Sequence, residues 1–350
     1  MENSKTTKSQ YGTLLNLAAI IIIIAGVMNA TTIIAPILLA LFISVICAQP
    51  ILWLSRNKVP RTLAVIIVLL LVVAIFFGFG KLIGTSLSSF SKEAPFYEKH
   101  LNTFWITILQ FFNNNGIDIS SYPIDTLLDS SKILGLTANL LSQLGSFMGN
   151  ALTIFFLSLF LLLEIDSIVI KTKAIVKVSE KSLSYLTEIV HGIRHYLSIK
   201  TVTSFITGLF IWIVMTIIGL DYAILWALIA FLLNYVPNIG SILAAIPAIL
   251  FALIQMGVEG VLWTTAAFVI VNVVIGNVVE PRIMGKGMGL SVFVVLISLI
   301  FWGYILGTVG MFLSVPLTMA IKIILSQNPR TQWIAILLGT QYEADAILKT

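Results

Sequence analysis

Asn272, Gly276 and Glu280 stand at i, i+4 and i+8 in otherwise apolar sequence, so a helix places them on one face with Asn277 beside it. Polar groups inside an apolar helix must face a partner, a cavity or water. Pro281 and Arg282 come directly after, and pairing with Arg282 would satisfy Glu280 by structure alone. A second strip, Lys200, Thr203, Ser204 and Thr207, enters the apolar stretch 201–220. A third group, Asn234, Pro237, Asn238, Gly240 and Ser241, interrupts the 37 residues without charge at 222–258. There Pro237 removes a backbone donor and restricts Val236, while Gly240 permits a tight turn. Together the three groups could line a hydrophilic path. Each also has a plainer reading. The asparagines serve as interhelical hydrogen-bond glue worth under about 2 kcal/mol, the threonines pack against a neighbouring helix, and the break is a surface loop. Asp221 and Glu259, which flank the broken stretch, read as solvated turn residues.

Other chemistry fails on residue type. His191 and His195 have the spacing of a zincin pair, but Gly192 stands where the general-base glutamate is required. Around Gly285, Lys286 and Gly287 a phosphate loop would need glycine at Glu280 and Ser or Thr after the lysine. One cysteine, Cys47, excludes intrachain disulfides and cysteine-rich metal sites. No nucleophile, base and acid come together, so the reading is a non-enzyme with no cofactor and no metal.

The elements that must position these residues are dictated by cost. Hydrophobic residues make up 59% of the 350 and charged residues 10%, with a mean hydropathy of +1.06, which excludes a soluble globular chain. Charges are absent from 9–55, 62–80, 133–163, 201–220, 222–258, 260–279 and 287–321. A helix needs about 20 apolar residues to cross a hydrocarbon core of about 30 Å, so each gap fits one span or two. The expectation is an all-α, polytopic helical integral membrane protein of about eight spans. Three spans fill 1–84, with Asn29 to Thr32 as the first turn and Pro36 tolerated near the start of the second span. The run after Lys5 and Lys8 reads as an uncleaved span, because Met28 spoils a small-residue cleavage site. A polar helical excursion outside the cytoplasm occupies 85–147, with turn clusters at Asn113 to Gly116 and Ser120 to Pro123. A fourth span covers 148–170, and a basic amphipathic helix on the cytoplasmic membrane face covers 171–200. The C-terminal membrane half, 201–326, contains the broken stretch 222–258, either two tilted helices or a re-entrant hairpin, and ends in a pair divided at Gly307, Thr308 and Gly310. A cytoplasmic tail completes the chain at 327–350.

Charge asymmetry orients this plan. With the N-terminus cytoplasmic, every lysine and arginine except Lys81, Lys92, Lys99 and Lys132 falls on the cytoplasmic side, as the positive-inside rule requires. The net charge of +5 therefore reflects orientation rather than a nucleic-acid footprint.

Ala230 to Leu250 (AFLLNYVPNIGSILAAIPAIL), Asn277 to Leu290 (NVVEPRIMGKGMGL) and Gly307 to Ile323 (GTVGMFLSVPLTMAIKI) resemble signature blocks of the autoinducer-2 exporter family of bacterial inner-membrane transporters. The likeness of plan extends over nearly the whole chain. Departures are Ser241 where the family commonly has Pro, Ala244 where Gly is frequent, and Ser291-Val292 where His-Pro is common. The resemblance implies export of a small polar solute without ATP, an inner-membrane location, a homo-oligomer such as a pentamer, and coupling to protons or sodium in some relatives. Three readings stand open: an exporter whose path is the broken stretch and the Glu280 face, a sodium (or lithium)/proton antiporter centred on Glu280, and a non-transporting scaffold that binds a partner through 85–147.

Overall fold

A computed structural model of the chain describes residues 18–19, 21–115, 135, 151–179, 184–237, 239–284 and 289–348. Among them every regular element is a helix and none is a strand. Residues 21–29 are helical, and Ala30 alone separates them from α1 (Thr31–Arg56). The break is shorter than the four-residue turn expected, because Asn29 and Thr31 return their side chains to the carbonyls of Ala25 and Met28 at 2.8 and 2.7 Å. Lys58, in the left-handed region at φ 68°, turns the chain into α2 (Arg61–Asn114). At 54 residues, α2 rises about 80 Å and stays helical through Thr85. The turn cluster at Ser120 to Pro123 lies outside the described residues.

The remaining helices are α3 (Ala151–Ser179), α4 (Ser184–Ile218), α5 (Ala223–Leu233), α6 (Gly240–Val274), α7 (Glu280–Met284), α8 (Val292–Ser326), α9 (Gln332–Leu338) and α10 (Gln341–Leu348). A π-turn, Ile275–Val279, joins α6 to α7. Of the stretch 171–200, residues 171–179 belong to the end of α3 and 184–200 to the start of α4. Among the described residues, five helices are long and apolar enough to cross a membrane: Thr31–Arg56, Arg61–His100, Tyr185–Ile218, Gly240–Val279 and Val292–Ser326.

Two of these double back. Gly257 (φ 68°, ψ −149°) breaks α6 and Gly307 (φ 64°, ψ −146°) breaks α8, a conformation open to glycine and closed to nearly everything else. A Cβ on Gly310 would lie 1.8 Å from the carbonyl oxygen of Trp302, and one on Gly260 2.8 Å from that of Ala252. Eight residues rise about 12 Å in a continuous helix, so such contacts exist only where two limbs run antiparallel. In α8 the polar clasp of Ser298, Ser314 and Thr318 fixes the pairing, with Ser298 Oγ 2.6 Å from Thr318 Oγ1 and 2.9 Å from the carbonyl of Ser314. The two hairpins carry the same Gly-x-x-Gly turn fifty residues apart, at 257–260 and 307–310.

The chain divides into two compact units. In the first (Met1–Ala48, Thr153–Ile193 and Gly289–Thr350), α1 and α3 meet through Leu39, Ala40 and Ile154. Ser44 and Ser158 lie in that crossing, each bonded to its own helix at 2.7 Å and reaching across it at 3.4 Å. Lys322 is held by the Gly289 carbonyl and by Glu343, which ties α10 to the head of α8. Ser291, the position that departs from the family pattern, caps α8 by accepting the Val294 amide at 3.3 Å. In the second unit (Gln49–Leu152 and Arg194–Met288), Phe251 is the hub of an aromatic cluster with Phe90, Tyr97, Tyr222 and Trp226, ring centroids 5.2 to 6.0 Å away. Ala244, Ala248 and Ala252, each fully buried, give α6 the small stripe that close packing needs. Outward, Phe77, Phe205, Ile217, Leu262 and Ile270 are exposed, an apolar surface that only lipid or another apolar partner suits.

Candidate functional site

Inside the second unit the middle of α4 carries a buried polar strip. Tyr196, Lys200, Thr203, Ser204 and Thr207 recur at helical spacing and all are buried, while Val202, Phe205 and Leu209 face outward. Gly208 extends the strip and lets α5 approach, with the Ala227 carbonyl oxygen 3.0 Å from where its Cβ would be. The two helices run antiparallel from the turn at Gly219 (φ 81°) and Tyr222 (φ 58°), and so the end of α5 lies beside the middle of α4. Asn234 Nδ2 donates to Ser204 Oγ at 3.0 Å, and the Tyr235 hydroxyl donates to Thr201 Oγ1 at 2.9 Å.

Among the described residues 234–237 and 239 are non-helical, and Gly240 and Ser241 already begin α6. Leu233 leads directly into this break, and Gly240 is indispensable after it: a Cβ there would sit 1.8 Å from the Leu233 carbonyl oxygen. Pro237 is buried in the turn, and Ser241 is half-buried at the head of α6. Asn238 lies outside the described residues.

Glu280 reaches the strip from the far end of α6. Its Oε1 accepts Lys200 Nζ at 2.7 Å, with the two side chains 15% and 5% exposed. This replaces the Arg282 partner offered by the sequence, since Arg282 is exposed. Asn272 is half-buried and Asn277 exposed. The i, i+4, i+8 register presumed an uninterrupted α-helix, whereas the π-turn at Ile275–Val279 adds backbone to one turn and re-aims the residues beyond it. Pro281 enters α7 in the turn after the pair. Thr203 and Thr207 give their protons to the carbonyls of Lys200 and Thr203 at 3.2 and 2.9 Å, which leaves their oxygens only as acceptors.

Sequence reasoning passed over Tyr196, Thr201 and Tyr235. Tyr196 precedes Lys200 by four residues, so helical spacing would have found it had the strip been continued one turn back. The chemistry available here is recognition by hydrogen bonds and one opposed charge pair; among the described residues no group of three metal-ligating side chains occurs.

At the other end of α4 a second polar cluster forms. Tyr97 and Tyr222 donate to Glu93 Oε2 at 2.8 and 2.9 Å, and Asp221 Oδ2 lies 3.3 Å from the Tyr97 hydroxyl. Burial pushes the Tyr222 hydroxyl up to about 12, so it stays a donor at neutral pH. Asp221 is thus more than a solvated turn residue: its amide donates to Gln255 and its carbonyl accepts the Trp226 indole, both at 2.9 Å. A cavity of about 500 Å³ opens beside it, walled by Leu82, Ser86, Trp212, Thr216 and residues 219–225. The Lys200–Glu280 strip, by contrast, is closed by protein, with Thr203 and Ser204 fully buried.

Apolar helices with exposed hydrophobic surfaces, two glycine-turned hairpins and a buried polar strip define a polytopic helical membrane protein with hydrophilic groups kept from lipid. The AI-2E family transporter model matches residues 17–330. AI-2 transport protein TqsA of Escherichia coli (strain K12) is 38% identical over 323 residues, 92% of this chain and 94% of TqsA. A putative transport protein of Haemophilus influenzae is 38% identical over 334 residues, 93% and 96% of the two chains. Putative transport protein YhhT of E. coli (strain K12) is 33% identical over 339 residues, 97% of each. The chain belongs to the AI-2E transporter family.

Proposed function

We propose that this protein exports a small polar solute, of the kind the name of TqsA indicates, by secondary transport or facilitated diffusion across the bacterial inner membrane. The buried Lys200–Glu280 pair at 2.7 Å carries this reading. A desolvated pair is weak evidence for stability, since apolar residues of equal volume commonly do as well or better. Its presence in a chain with 10% charged residues therefore favours a working role. Beside it, the 234–239 break supplies non-helical backbone, which at membrane depth is tolerated only in protein or against a water-filled cavity. With 11 residues, α5 rises about 16 Å, half a hydrocarbon core; this supports a re-entrant α5–α6 hairpin with Asn234, Pro237, Asn238, Gly240 and Ser241 at its tip. On this reading the solute path runs from that tip along Lys200, Thr203 and Thr207 and past Asn272, Asn277, Glu280, Pro281 and Arg282. Both termini are cytoplasmic, and the exposed apolar faces suit a homo-oligomer as well as lipid.

Flux of AI-2 in proteoliposomes, with and without an imposed potential, tests the reading. Glu280→Gln and Asn238→Ala are expected to lower flux at least tenfold with the protein still folded. Native flux in both variants would remove the site assignment, and proton movement on adding sodium or lithium in place of AI-2 flux would favour an antiporter.

A further inference from the structure

We infer that Tyr196 is a positioning residue that takes over the Glu280 carboxylate when Lys200 is engaged elsewhere; this rests on the transport reading of the same site. The Tyr196 hydroxyl is buried and has no hydrogen-bond partner among the described residues. An orphaned buried hydroxyl is destabilising, and phenylalanine would fill the same space without that penalty. Yet the hydroxyl stands one turn from Lys200 on the same face of α4 and is an electrostatic neighbour of Glu280. Lys200 holds Oε1 of Glu280. A buried donor without a partner among the described residues and a carboxylate held by Lys200 through one oxygen thus share one site. Thr203 and Thr207 are committed to helix carbonyls, and Asn234 to Ser204.

The arrangement has a second stable pairing built in. When a solute oxygen takes the Lys200 ammonium, Glu280 would become an unpaired buried carboxylate, a costly state. The Tyr196 hydroxyl then donates to it. Lys200 becomes available to solute because Glu280 has somewhere else to go, and the orphaned hydroxyl of the closed state is the trace of that second pairing.

A stability cycle tests this without any solute. In the full-length protein in detergent, Tyr196→Phe is expected to leave the apparent Tm unchanged or to raise it. In a Lys200→Met background, where Tyr196 is the remaining donor to Glu280, the same change is expected to lower Tm by about 3 °C or more. A hydroxyl that only fills space would act alike in both backgrounds, and equal effects overturn the inference. Should Lys200→Met not fold, the flux measurements carry the test. In proteoliposomes, Tyr196→Phe is expected to lower AI-2 flux about tenfold, with no further loss when added to Glu280→Gln. Loss of flux in Glu280→Gln with native flux in Tyr196→Phe would overturn the inference while leaving the transport reading standing; native flux in Glu280→Gln would overturn that reading itself.

Discussion

Lys200 and Glu280 lie eighty residues apart in sequence and 2.7 Å apart in space, with side chains 5% and 15% exposed. Removing one charge strands the other: Lys200→Met or Glu280→Gln is expected to cost about 3–5 kcal/mol of stability. Removing both with apolar residues, Lys200→Met with Glu280→Leu, is expected to restore the native Tm or exceed it while flux stays lost. Thermal unfolding in detergent beside flux in liposomes reads the two separately. A double variant that transports normally would show the pair to be packing alone. The polar strip on α4 was legible in sequence because lysine and hydroxyl residues in an apolar stretch are conspicuous. Its partner was not, because a carboxylate beside Arg282 has a nearer apparent mate.

At the scale of the helix, glycines decide where apolar runs turn back. Gly240 and Gly310 each leave only 1.8 Å between a would-be Cβ and a carbonyl oxygen, whereas Gly307 has nothing within 4 Å of that point and is held to glycine by its φ of 64° alone. Alanine at Gly307 is therefore expected to cost about 1–3 kcal/mol, the strain of a left-handed residue. At Gly240 or Gly310 alanine must push two helices apart, so the expected loss is larger and includes folded yield. Ranking the three by Tm and by monodisperse yield checks this, and a Gly307 variant worse than the other two would contradict it. The Gly307 to Gly310 division was readable as a break between paired limbs. The π-turn at 275–279 was not, since Ile-Gly-Asn-Val-Val carries no local signal for an added backbone residue.

For the whole molecule, the distribution of charge predicts the orientation proposed above. With Cys47 replaced by serine as background, Arg330→Cys is expected to label only from the cytoplasmic side and Glu259→Cys only from outside. Both positions are exposed. Labelling of both from the same side would refute the proposed topology and with it the placing of the α5–α6 hairpin. The C-terminal helices bear on the same point, because Lys322 ties Glu343 of α10 to the Gly289 carbonyl and so fixes the tail to the foot of the last hairpin.

Sequence by itself determined the class: charge-free runs and their lengths leave no soluble alternative, because a charge in hydrocarbon is costly wherever the chain folds. It also located the break that begins at Asn234, since proline and glycine act on their own backbone. Tertiary structure alone decided that Glu280 belongs to Lys200 and not Arg282, that Asn277 turns outward, and that Tyr196 stands buried beside the pair with no hydrogen-bond partner among the described residues. Those facts depend on how a π-turn re-aims one helix end and on how closely Gly208 and Gly240 let α4, α5 and α6 approach, distances that no local pattern encodes.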